Sequence, residues 1–140
     1  MRVKTTATKL TLLGLGLGLV GVVAAASVAA GDIYVIVHPS VNLAEDEIRQ
    51  VYLGEKQFVG ALKLVPVDNA VVQNDFLERV IFMSADKYSA LWVKKSFRGD
   101  ATVPKTKPGD AEVIRFVKNT PGAIGYLSEP SDEVKPLYHY

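Results

Sequence analysis

Two histidines, His38 and His139, and no cysteine are the whole stock of imidazole and thiolate groups in the 140-residue chain. Neither histidine has a partner at H-x-x-x-H spacing and no carboxylates stand at metal spacing, so no transition-metal site is predicted. No G-x-S-x-G elbow is present and no serine has an evident histidine partner along the chain, which leaves nucleophilic catalysis without a motif. The chain is therefore expected to be non-catalytic and to carry no cofactor. What remains is hydrogen-bonding chemistry of the kind that holds a small anion. His38 and Ser40 lie just past a first strand, and Asn69, Gln73 and Asn74 lie where a second strand leads into a helix. Free N–H groups at a helix start attract oxyanions, and amide side chains there add donors. Asp68 opposes a phosphate at that place unless it accepts a hydrogen bond from a protonated oxygen. An ordinary strand-to-helix loop and an ordinary strand-end histidine are the competing readings of these two groups.

The elements that must position these residues follow from local pattern. "IYVIVHP", Ile33 to Pro39, is a β-branched run stopped by proline and reads as a strand buried on both faces. In "NLAEDEIRQVYLGEK", Glu45, Asp46 and Glu47 suit the positive end of a helix over about 44–53, Leu43 and Ile48 are spaced as a hydrophobic staple, and Gly54 is the stop. "LKLVPVD", Leu62 to Asp68, is the second strand, with Pro66 placing it near an edge or a strand end. "DFLERVIF" carries one wide apolar face, and Ser84 caps a further helix, "ADKYSALWVKKSF", whose Tyr88, Leu91 and Trp92 line the core side. "RGDATVPKTKPGD", 98–110, reads as the longest irregular stretch, and its RGD triplet is too short to imply adhesion. A helix over "AEVIRFVKN" must end before Pro121, and "AIGYL" has the composition of a last strand. The tail after Ser128 is polar, and Pro130 and Pro136 limit it to short pieces. The alternation predicts an α/β fold: a small mixed or parallel sheet flanked by helices.

The first thirty residues differ from the rest. Arg2, Lys4 and Lys9 precede an uncharged run from Leu10 to Ala30 that ends in "AAASVAA". Basic, apolar and small residues in that order predict a secretory signal peptide over 1–30, cut after Ala30, or after Ala29 as second choice. A retained anchor is the alternative, since an apolar run of this length can span a bilayer. "GLGLVG", Gly16 to Gly21, matches a dinucleotide-binding fingerprint only by letter, because it lies inside this run with no strand before it. Cleavage leaves a single domain over 31–140, expected in the periplasm and no longer held in a membrane. The chain has 16 Lys+Arg and 15 Asp+Glu; losing Arg2, Lys4 and Lys9 leaves 13 against 15. That acidic balance argues against nucleic acid, and with it goes the Gly-x-x-Gly of "GAIG" as a nucleic-acid clamp.

"IYVIVHPSVNLAEDEIRQVYLGE", "LVPVD" and "AEVIRFVKNTPGAIGYL" together resemble, in order and spacing, one lobe of the phosphate-binding proteins of ABC importers, and most of all their short single-lobe relatives. The resemblance covers Ile33 to about Leu127. It implies one lobe of a type II periplasmic-binding-protein fold, with a small anion such as phosphate as ligand and a membrane transporter as partner; a membrane-bound sensor is the alternative partner. The family's arginine and Ser-Gly-Thr signature fall where this chain has "VDNAVVQNDF", so no family phosphate ligand carries over to a numbered residue here.

Overall fold

The computed structural model describes residues 31–140; the expected signal peptide lies outside the described residues. Seven strands and four helices follow in the order β1 (Tyr34–Val37), α1 (Glu45–Tyr52), β2 (Phe58–Val59), β3 (Leu62–Lys63), β4 (Val65–Asn69), α2 (Gln73–Phe76), α3 (Ala85–Arg98), β5 (Lys105–Lys107), α4 (Asp110–Asn119), β6 (Ala123–Leu127) and β7 (Pro136–His139). Helix α2 runs on into a π-helical segment, Leu77–Ile81. Strands β2 and β3 form a small hairpin, and the other five form one sheet in the order β5-β4-β6-β1-β7.

The sheet is mixed. Strand β4 runs parallel to β5 and β6, whereas β1 runs antiparallel to β6 and β7. The expected α/β sheet flanked by helices is therefore present, in its mixed form. Its two faces follow the period-two alternation of strand side chains. Ile36, Val67, Ala123 and Leu127 meet Val113 and Val117 of α4 on one face. Ile33, Val35, Ile124 and Tyr126 meet α1, α2 with its π-helical segment, and α3 on the other.

Local chemistry accounts for the helix ends. The Glu47 carboxylate accepts the Ala44 N–H at 2.9 Å, which compensates for an N-cap residue with no polar side chain. Leu43 and Ile48 are both buried, as a staple requires. Ser84 Oγ accepts the Lys87 N–H at 3.3 Å at the start of α3. Two glycines fix the return into β6. Gly122 adopts φ +83, and a side chain there would overlap the Lys63 carbonyl. At Gly125 a Cβ would lie 2.6 Å from Val113 Cγ1, so the missing side chain is what lets α4 lie against the middle of the sheet.

Strands β5 and β7 were not expected. Both are edge strands, and each begins at or just after a proline, Pro104 or Pro136. A short polar edge strand carries little apolar periodicity for a sequence to display. The hairpin β2–β3 and the break before Val65 likewise divide the single strand expected over Leu62 to Asp68. The strands, both core clusters and their covering helices all lie within 33–140, and no buried side-chain polar atom among the described residues lacks a partner. The described residues thus bury two core clusters with every buried side-chain polar atom partnered.

Candidate functional site

The mixed sheet separates the two groups of candidate residues. Because β1 is antiparallel to β6 while β4 is parallel to it, the carboxyl ends of β1 and β4 lie at opposite ends of the sheet. Val37 pairs with Ile124 near the start of β6, and β4 leaves Ala123 behind at Val65 and ends four residues later, at Asn69. His38 and Ser40 therefore do not share a site with Asn69, Gln73 and Asn74. A β1 running parallel to β6 would have placed them together.

His38 and Ser40 do meet each other. Ser40 Oγ lies 2.7 Å from His38 Nδ1, and the Ser40 N–H donates to the same nitrogen at 3.1 Å. With Nδ1 accepting, the hydroxyl proton of Ser40 points to the ring, and Ser40 Oγ accepts the Gly122 N–H at 3.2 Å. The pair closes the turn after β1 and fastens it to the corner "TPG" before β6. It is a turn-closing contact two residues apart, invisible as a pair in the sequence because spacing alone does not orient a histidine.

Asn69 is fully buried. Its Nδ2 donates to Asp110 Oδ1 at 2.7 Å and to the Tyr126 carbonyl at 3.0 Å, and its Oδ1 accepts the Val71 N–H at 3.1 Å. The Ala70 N–H donates to Lys107 O and the Val72 N–H to Asn69 O. The backbone donors from 70 to 72 are thus already engaged within the protein. Asn74 is exposed, and Gln73 is half-buried.

An oxyanion cradle does exist at this end of the sheet, with the protein's own carboxylate in it. Asp110, the first residue of α4, accepts from Asn69 Nδ2, from the Ser128 N–H at 3.1 Å, from Ser128 Oγ at 2.9 Å and from the Glu129 N–H at 3.0 Å. A carboxylate at a helix start that collects four donors ties β4, β6 and α4 together.

On the other, α3-facing side of the sheet, an open cleft of about 750 Å³ lies between α3 and the parallel pair β4–β5. Gln73, Tyr88, Ser89, Ser96 and Thr106 supply its polar groups, Trp92, Val93, Phe97 and Val103 its apolar walls. Asp68 lines it and is only 2% exposed. The Tyr88 hydroxyl donates to Asp68 Oδ2 and the Tyr126 hydroxyl to Oδ1, each at 2.9 Å. Register places Asp68 opposite Thr106, so both side chains face α3. Tyr126 stacks on Phe76 with centroids 3.8 Å apart, and Tyr52 packs edge-on against both rings. This aromatic surround is what desolvates the carboxylate.

Burial raises the Asp68 pKa to about 6; the hydrogen bonds from Tyr126, Tyr88 and, less strongly, Gln73 pull it back without cancelling the shift. The Tyr88 and Tyr126 hydroxyls are pushed upward by burial first and by the neighbouring Asp68 charge second, so both remain donors at any physiological pH. No lysine or arginine lines the cleft. The hydroxyl groups of Ser89, Ser96 and Thr106 carried no motif in the sequence. Their only signal was position: Ser89 and Ser96 lie seven apart, on one strip of α3.

No protein-family model matches the chain, and no curated protein matches it. Among solved structures, the fold is similar to an ABC-type phosphate transport receptor from Vibrio cholerae, at 17% sequence identity and a TM-score of 0.47. The similarity covers 76% of this chain and 46% of that one, so the chain spans about half the receptor's length. No helix among the described residues is long and apolar enough to cross a membrane.

Proposed function

We propose that the protein is an exported, non-catalytic binding lobe that takes a small hydrogen-bonding solute in the cleft between α3 and the β4–β5 pair. A phosphate-like oxyanion enters it in a protonated form. The observation that carries this is the lining: neutral polar groups of Gln73, Ser89, Ser96 and Thr106 surround one formal charge, Asp68, whose carboxylate already takes the Tyr88 hydroxyl proton in a hydrogen bond, with no cation among them. Neutral donors suit oxyanion oxygens, while an ionised Asp68 repels an oxygen that lacks a proton and accepts from one that has it. The order of residue types over 1–30 supports export, and the resemblance of the three quoted segments to phosphate-binding lobes supports a solute-binding role in the periplasm. Calorimetric titration of residues 31–140 with phosphate and with sulfate at neutral pH tests it. Heat from phosphate and none from sulfate is the expected result; no heat from either, or equal binding of both, would overturn it.

Docking on a membrane-bound transporter or sensor is a second reading, favoured by Val93 and Phe97, which are 71% and 94% exposed at the lip of the cleft. A photo-crosslinker at position 97 that captures no membrane protein in cells would remove it.

A further inference from the structure

Helix α3 has two apolar faces. Tyr88 and Trp92 are buried in the core, as a surface helix requires. Ala90, Val93 and Phe97, spaced i, i+3 and i+7, form a second strip on the opposite side, and all three are exposed. Beside this strip runs a cationic one, Lys87, Lys94 and Arg98, spaced i, i+7 and i+11 and also exposed. None of these three cations is in an ion pair among the described residues. Asp86 is the acidic residue on the same face, and Asp100 follows the helix.

The charge is distributed unevenly over the whole domain. Residues 85–107 hold six Lys+Arg against two Asp+Glu, whereas the remainder of 31–140 holds seven against thirteen. Lys105 and Lys107 have a sufficient explanation of their own: they lie on the edge strand β5, where lysines and the flanking Pro104 and Pro108 deter pairing with another strand. The α3 cations have no such role.

We propose that the outward face of α3 rests on an anionic phospholipid surface, with Phe97 and Val93 entering the headgroup boundary and Lys87, Lys94 and Arg98 meeting the phosphates. An apolar strip holding an aromatic residue, bordered by unpaired cations on one helix, is the pattern of an interfacial helix. Lysine-rich surface also argues for lipid over protein, because lysine is depleted from protein–protein interfaces. The acidic remainder of the domain turns the molecule, so that α3 faces a negative surface and the rest faces away. This association is peripheral; Val93 and Phe97 also wall the cleft, whereas Lys87, Lys94 and Arg98 lie outside its lining.

Co-sedimentation of residues 31–140 with vesicles tests it, using equal parts phosphatidylglycerol and phosphatidylcholine against phosphatidylcholine alone. Binding to the anionic vesicles only, abolished by high salt, is expected. Lys94→Glu with Arg98→Glu should weaken it by about tenfold or more, and Phe97→Ser by about fivefold. All three positions are exposed, so circular dichroism should be unchanged. Failure of the wild type to sediment with anionic vesicles, including the case in which an acidic protein is bound instead, would overturn the proposal. So would sedimentation unaffected by the charge reversal. Lys94→Glu with Arg98→Glu, at positions outside the cleft lining, should leave the calorimetric response to phosphate unchanged, which separates this outcome from that of the cleft.

Discussion

Asp68→Asn should make the domain more stable at neutral pH than the wild type and remove part of its pH dependence. Asp68 is 2% exposed, faces an aromatic cluster and has hydroxyl donors but no cation. Its pKa rises from 3.8 to about 6 on folding. The folded state therefore prefers the protonated carboxyl, and the stability associated with it is complete below the unfolded pKa and lost as pH rises through the folded one. At about 1.36 kcal/mol per pKa unit, that shift corresponds to roughly 3 kcal/mol lost between about pH 4 and pH 7. Urea unfolding of residues 31–140 at a series of pH values measures it, wild type against Asp68→Asn. Other carboxylates titrate over the same range; Glu47, for one, is lowered by the Ala44 N–H and contributes with opposite sign. The difference between the two proteins isolates Asp68, because those groups are common to both. Asparagine keeps the shape and one acceptor while offering an N–H₂ toward the second tyrosine, so the gain at neutral pH should be somewhat smaller than the full shift. Tyr126→Phe should act in the opposite direction, costing about 1.5–3 kcal/mol near neutral pH by leaving the ionised carboxylate one donor short, and less in acid. Parallel pH profiles for wild type and Asp68→Asn would refute the desolvation account of this carboxylate.

Asp110→Ala should lower stability by about 2 kcal/mol or more, since four donors lose their acceptor, and millimolar formate should raise the melting temperature of this variant more than that of the wild type; equal responses would show that the donors do not form a cradle without the carboxylate. Gly125→Ala should cost about 1–3 kcal/mol by overpacking against Val113, and adding Val113→Ala should recover part of the loss in thermal unfolding, whereas additive losses would contradict the assigned clash.

The sequence carried the elements with strong periodicity or end signals. Helices α1, α3 and α4 and strands β1 and β6 lie where their staple, serine cap, apolar faces and glycines place them. Strand β5 escaped because it is three polar residues long and β7 because it is four residues long and opens on a proline, and strand direction escaped because local pattern does not encode which neighbour a strand will pair with. That single topological fact displaced His38 and Ser40 to the far end of the sheet from Asn69 and Gln73. The cradle at the start of α4 was equally hidden. Its donors come from residues 69, 128 and 129 and its acceptor from 110, and only the fold brings them together. Asp68 was legible as an obstacle to a bare anion but not as a buried group, since the surrounding tyrosines come from α3 and β6.

The most direct test of the binding lobe is residue-resolved: ¹⁵N-labelled protein, residues 31–140, titrated with phosphate at neutral pH. Saturable amide shifts confined to Gln73, Tyr88, Ser89, Ser96 and Thr106, and absent from His38, Ser40 and Gly122, are the predicted result. Shifts gathered at His38, Ser40 and Gly122, or none anywhere, would contradict it.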